Sequence, residues 1–138
     1  MRFNRWIAVF TTAGLVAGIE GGVGQESALP PLMRQISPTW QTLARSVGDD
    51  NLPEAAKHAD RLTTLFGELV VIFEREKLPD AVKLAKDGQT AAQHTAAAAR
   101  ANDMARVREV GTGILNACRN CHPAHREQLP DGSYRLKR

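Results

Sequence analysis

Both cysteines of the chain fall within five residues, Cys118-Arg119-Asn120-Cys121-His122. On a helix, residues three and four apart stack on one face, so positions 118, 121 and 122 are presented together. C-x-x-C-H is the attachment sequence for c-type haem: each thiol adds to one vinyl group of the porphyrin, and the histidine reaches the iron. A chain carrying it must fold around a flat apolar group held against a helix. The plainer alternative is a disulfide or a chance pair of buried cysteines.

The start of the chain agrees with the motif. Arg2 and Arg5 form a positive segment, Trp6 to Ile19 an apolar run, and Gly22-Val23-Gly24 a small-residue cleavage site. The apolar run has signal-peptide length and is short for a membrane span. Residues 1–24 are therefore expected to be a secretory signal and 25–138 the working domain. Their removal takes away two Arg and one Glu, lowering the formal net charge from +3 to +2. Covalent haem attachment of the bacterial kind takes place outside the cytoplasm, where unprotected C-x-x-C thiols tend to oxidise. The expected location is a bacterial periplasm, with the protein soluble after processing.

The rest reads as four helices with short connections. The first spans about Leu32 to Val47, with Met33, Ile36, Trp40, Leu43 and Val47 at helical spacing. Pro38 within it removes a backbone hydrogen bond. The second spans about Pro53 to Glu76. Asn51 and Glu54 have capping-box spacing, and Ala59, Leu62, Phe66, Leu69 and Phe73 supply a broad apolar face. The third spans about Pro79 to Ala101, with small residues at Ala85, Ala92, Ala96 and Ala99. Asn102-Asp103 breaks the chain and caps the fourth helix, which carries Val107, Val110, Ile114 and the cysteine motif on one face. Gly111 and Gly113 would let the cofactor or a partner helix come close. Pro123 is expected to kink this helix, and Leu129-Pro130-Asp131-Gly132 to end it. No strand alternation is evident, and Tyr134–Arg138 reads as a frayed basic end. Four helices with short loops predict an all-α, antiparallel four-helix bundle with its cofactor site at the motif's end.

At 138 residues the chain suits one domain with a real core. A net charge of +3, with no basic stripe interleaved with aromatics, gives no footprint for nucleic acid. Aromatics are 5% of the sequence, so a core rich in alanine leaves room for a flat apolar ring.

Taken together, the late C-x-x-C-H, the four helices and a Leu32-Met33-Arg34-Gln35 stretch in the first helix resemble the class II c-type cytochromes, the cytochrome c-prime and cytochrome c-556 group. The likeness covers nearly all of residues 30–128. It implies a four-helix bundle with one haem c, bound through Cys118 and Cys121, with His122 as the proximal ligand. It implies that Arg126 is the basic residue beside that histidine, and that Met33 stands at the sixth-ligand position. Two departures are the short connection at Lys77-Leu78-Pro79 and the proline at 123. Family members include monomers and homodimers joined through the first two helices.

The group opposite His122 sets the expected function. Of the three methionines, Met1 falls in the signal and Met104 starts the fourth helix, which leaves Met33. If Met33 ligates, the iron is six-coordinate and low-spin, and the protein is an electron carrier serving redox partner proteins. If Met33 is a core residue over an open site, the protein is a five-coordinate binder of nitric oxide or carbon monoxide. Neither reading makes it an enzyme. Trp40 is expected to pack against the porphyrin. His94 is the alternative sixth ligand, His58 a surface residue, and His125 a solvated group or a partner of a haem propionate.

Overall fold

The computed structural model describes residues 29–137; the expected signal segment lies outside the described residues. Four helices follow one another: α1 Leu29–Gly48, α2 Leu52–Arg75, α3 Pro79–Arg100 and α4 Met104–His125. They pack in sequence order, α1 on α2, α2 on α3 and α3 on α4, while α1 and α4 meet at few points. This is the all-α four-helix arrangement that the periodicity predicts.

The three connections share one construction. Asp50, Lys77 and Asn102 each adopt a left-handed backbone, with φ of 52°, 57° and 58°. The next amide reaches back five residues in each case: Asn51 to Ser46 (2.8 Å), Leu78 to Phe73 (3.1 Å) and Asp103 to Ala98 (3.0 Å). These are Schellman closures, which satisfy carbonyls that a helix end leaves open. The next helix starts at once. Asn51 Oδ1 accepts from the Glu54 amide (3.3 Å), and Asp103 Oδ1 accepts from the Arg106 amide (2.9 Å). The expected capping box at Asn51 is half formed, because the Glu54 carboxylate turns to Lys57 (3.5 Å) and His58 (3.3 Å). At α3 the capping residue is Leu78, which has no side-chain cap, and Pro79 supplies the preset first-turn geometry.

The core runs through α2. Leu62, Leu65 and Phe73, with Leu43 from α1 and Ile114 from α4, are almost wholly buried. Burying each such side chain contributes roughly 1.5–3 kcal/mol. α3 contributes mainly Ala81, Ala85, Gly88, Ala92, Ala96 and Ala99, small enough for α2 and α4 to close on it from both sides. A Cβ at Gly88 would lie 2.6 Å from the Phe66 ring, and one at Gly113 would lie 2.8 Å from the Ala91 Cβ. The nearest side chain to a Cβ at Gly111 would be Thr95 of α3, at 3.8 Å. The glycines of α4 thus admit α3, and neither lines the large cavity described below.

The end of the chain differs from expectation. α4 continues past Pro123 but stops at His125, and the chain turns into a hairpin, β1 Arg126–Gln128 and β2 Tyr134–Leu136. The strands are antiparallel, with Arg126 opposite Leu136 and Gln128 opposite Tyr134. The predicted turn is present, but it joins two strands: the Gly132 amide donates to the Leu129 carbonyl (2.9 Å), and the Ser133 amide donates to Asp131 Oδ1 (2.9 Å). Leu136 is buried, and the Lys137 amide donates to the His125 carbonyl at 2.8 Å. Tyr134–Lys137 is therefore a built segment and not a frayed end. Strands of three residues are too short for alternation to be read from a sequence.

Candidate functional site

α1 and α4 diverge where the Leu29 end of α1 lies near the C-terminal end of α4. A cavity of about 840 Å³ opens there, walled by all four helices and the hairpin. That volume lies within the roughly 300–1,000 Å³ of small-molecule and cofactor sites. Ile36, Phe66, Leu69, Phe73, Ala85 and Leu115 give it apolar walls.

Cys118, Cys121 and His122 all line this cavity, from the last two turns of α4. Met33 and Trp40 line it from α1, and Arg126 lines it where α4 gives way to β1. Six residues chosen from the sequence, spread over more than ninety positions, thus reach one enclosure. The cysteines are free thiols, each part-buried. Burial pushes the Cys118 thiol up. Burial, with the neighbouring Cys118 and Asp80 charges, pushes Cys121 up to about 11. Both sulfurs are therefore protonated and slow to oxidise near neutral pH. Burial first, and then the Arg126 guanidinium, holds the His122 imidazole below the usual histidine value. It is neutral at pH 7, the form that binds a metal.

These features fit haem c. Two thiols and a neutral imidazole face an apolar chamber of cofactor size. The charged residues on the chamber wall, apart from histidines, are Arg34, Arg119, Arg126 and Arg135, with no carboxylate among them. That combination suits an apolar ring bearing acidic groups. Among the described residues, no three His, Cys, Asp or Glu side chains converge as a bare metal-ion site.

His125 departs from its expected surroundings. It is buried, 8% exposed, and Nε2 lies 2.9 Å from Asp80 Oδ2 at the start of α3. The contact is close enough for an ion pair, but Nε2 makes no well-aligned hydrogen bond. Burial alone would raise the Asp80 carboxyl, but the Ala81 amide, its own amide and His125 together hold it below the usual range. The pair ties the end of α4 to α3. An Asp just inside a proline-led helix start and a histidine one turn past the motif were both visible in the sequence, but their separation concealed the contact.

His94 is exposed on α3 and lines a different, open depression with Glu109 and Gly113, so it does not share a chamber with His122. His58 lies on α2 beside Glu54 (3.3 Å). Met104 packs on the core outside the chamber. The residues that sequence reasoning missed lie on the hairpin: Ser133, Tyr134 and Leu136 wall the cavity, and the Arg126 guanidinium sits 4.2 Å from the centre of the Tyr134 ring. No described helix is long and apolar enough to cross a membrane. In comparisons with known proteins, no family model, no curated protein and no solved structure matches the chain.

Proposed function

We propose that this protein is a periplasmic c-type cytochrome of the class II kind, a one-electron carrier with a single haem c. The observation that carries the reading is the placement of Cys118, Cys121 and His122 together on the wall of an apolar chamber of cofactor size. Cys118 and Cys121 would hold the ring through thioether bonds, and His122 would offer its neutral imidazole to the iron. When bound, haem supplies an Fe(III)/Fe(II) couple whose potential the axial ligands tune. Met33 lines the chamber from α1, and its thioether sulfur would be the second protein ligand to the iron. Ile36, Phe66 and Trp40 line the same chamber and would keep water from a bound ring. Arg126, stacked on Tyr134, places a fixed positive charge beside the histidine.

Export with haem-attachment machinery, followed by visible spectroscopy, tests the reading. The expected product is coloured, with low-spin bands and no rapid carbon monoxide uptake. Met33→Ala should turn it high-spin and able to bind carbon monoxide. A wild type that is already high-spin and binds carbon monoxide quickly would make it a gas-binding protein instead. A colourless product would overturn both.

A further inference from the structure

A metal-binding histidine ordinarily has its second ring nitrogen fixed by a carboxylate, a carbonyl or water. Among the described residues no hydrogen bond orients the His122 imidazole, and the Arg126 guanidinium only opposes its protonation. The direction of the ring therefore depends on the turn of α4 that carries it. That turn is weakened from within. Pro123 has no amide hydrogen, so the Arg119 carbonyl lacks its partner four residues on, and the helix ends at His125. What holds the turn from outside is His125, three residues after His122 and so on the same helix face. It is buried and gripped on two sides: Nε2 lies 2.9 Å from Asp80 Oδ2, and the carbonyl accepts from the Lys137 amide at 2.8 Å. Asp80 is itself fixed. Its carboxylate accepts from its own amide and from that of Ala81, at a helix start where Leu78 supplies no side-chain cap. Among the described residues, this is the one ion pair between α3 and α4. The Asp80 charge also reaches Cys121, although Asp80 does not line the chamber.

From this arrangement we infer that Asp80 is a positioning residue for His122: acting through His125, it fixes the last turn of α4, so that Cys121 and the His122 imidazole keep their places on the chamber wall. The inference rests on the proposed function, since it is haem iron that His122 would meet. The support that a ligand histidine usually receives at its own ring is delivered here one turn later along the helix. α3 supplies it from a carboxylate that its own first turn holds still.

The test uses the full chain as matured, with hydrogen exchange read peptide by peptide. Asp80→Ala should speed exchange across residues 121–126 about fivefold, because buried His125 loses its acceptor. Asp80→Asn still offers an oxygen to Nε2 and to the Ala81 amide, and should restore most of the protection. In the ferric protein, the spread of the haem methyl proton shifts follows the angle of the axial imidazole plane. It should change in Asp80→Ala and return in Asp80→Asn, which a loss of stability alone would not produce. The control Asp60→Ala breaks the Asp60–Arg100 ion pair between α2 and α3 and should leave both readouts unchanged. Exchange in Asp80→Ala that equals wild type, rises only at the start of α3, or rises evenly along every helix would overturn the inference. So would an unchanged methyl spread. Colour is read first: a colourless wild type overturns the haem reading, whereas a coloured one with an unmoved turn overturns only the role of Asp80.

Discussion

At the scale of single residues, burial governs the reactivity of the motif. Cys121 is held up to about 11 from a usual value of 9.0, chiefly by burial. A thiol whose folded value lies above its unfolded one favours the fold below pH 9 and loses that contribution as pH rises from about 9 to about 11. The haem-free protein should therefore alkylate slowly at Cys121 until the pH approaches that upper value, and should lose stability over the same window. Iodoacetamide labelling followed by peptide mapping checks this; an ordinary free-thiol profile at Cys121 would contradict the burial. Gly88 is the tightest point behind the cavity wall, with the Phe66 ring where a Cβ would stand. Gly88→Ala gains about 1 kcal/mol of helix propensity but meets overpacking of about 1–3 kcal/mol. A net loss of about 1 kcal/mol in denaturant unfolding is expected, with the ring displaced toward the chamber.

At the scale of elements, the three repeated connections explain why the helices were legible. Asn51, Pro53, Pro79 and Asp103 each carry a local signal, and each acts within four residues of itself. Asp103→Ala should lower stability by about 1 kcal/mol, because the Arg106 amide loses its acceptor. Lys77→Gly should raise stability by up to about 1 kcal/mol, since its φ of 57° disfavours a side chain. Thermal unfolding of both variants checks the signs. The hairpin was not legible, because its strands are short and its anchor, Leu136, is a single residue. Its charges predict how it opens. The hydrogen bond and charge of Arg135 hold Glu127 below the usual carboxylate range, and Ser133 does the same for Asp131. Groups with lowered folded values support the structure above their unfolded values and lose that support as pH falls through the folded ones. The hairpin should therefore loosen in acid before the bundle does. Tyr134, the one tyrosine of the chain, reports this by fluorescence or NMR. A hairpin that stays closed until global unfolding would count against it.

At the scale of the whole molecule, the fold turns a local motif into a site. Sequence spacing was enough to place Cys118, Cys121 and His122 on one face, since a helix fixes that geometry within two turns. It was also enough to nominate Met33 and Trp40, because they recur on the apolar face of α1. What it could not give was the open chamber between α1 and α4, which touch at few points while α2 and α4 close on alanine-lined α3. The His125–Asp80 contact, across 45 positions, has the same origin. The proposed function requires a porphyrin bonded to α4 inside this chamber. Intact-mass spectrometry of protein matured in a periplasm with haem-attachment machinery tests it most directly. The expected polypeptide is heavier by one haem, with the added mass retained on denaturation and lost in Cys118→Ala/Cys121→Ala. A mass equal to that of the processed amino acids alone would contradict it.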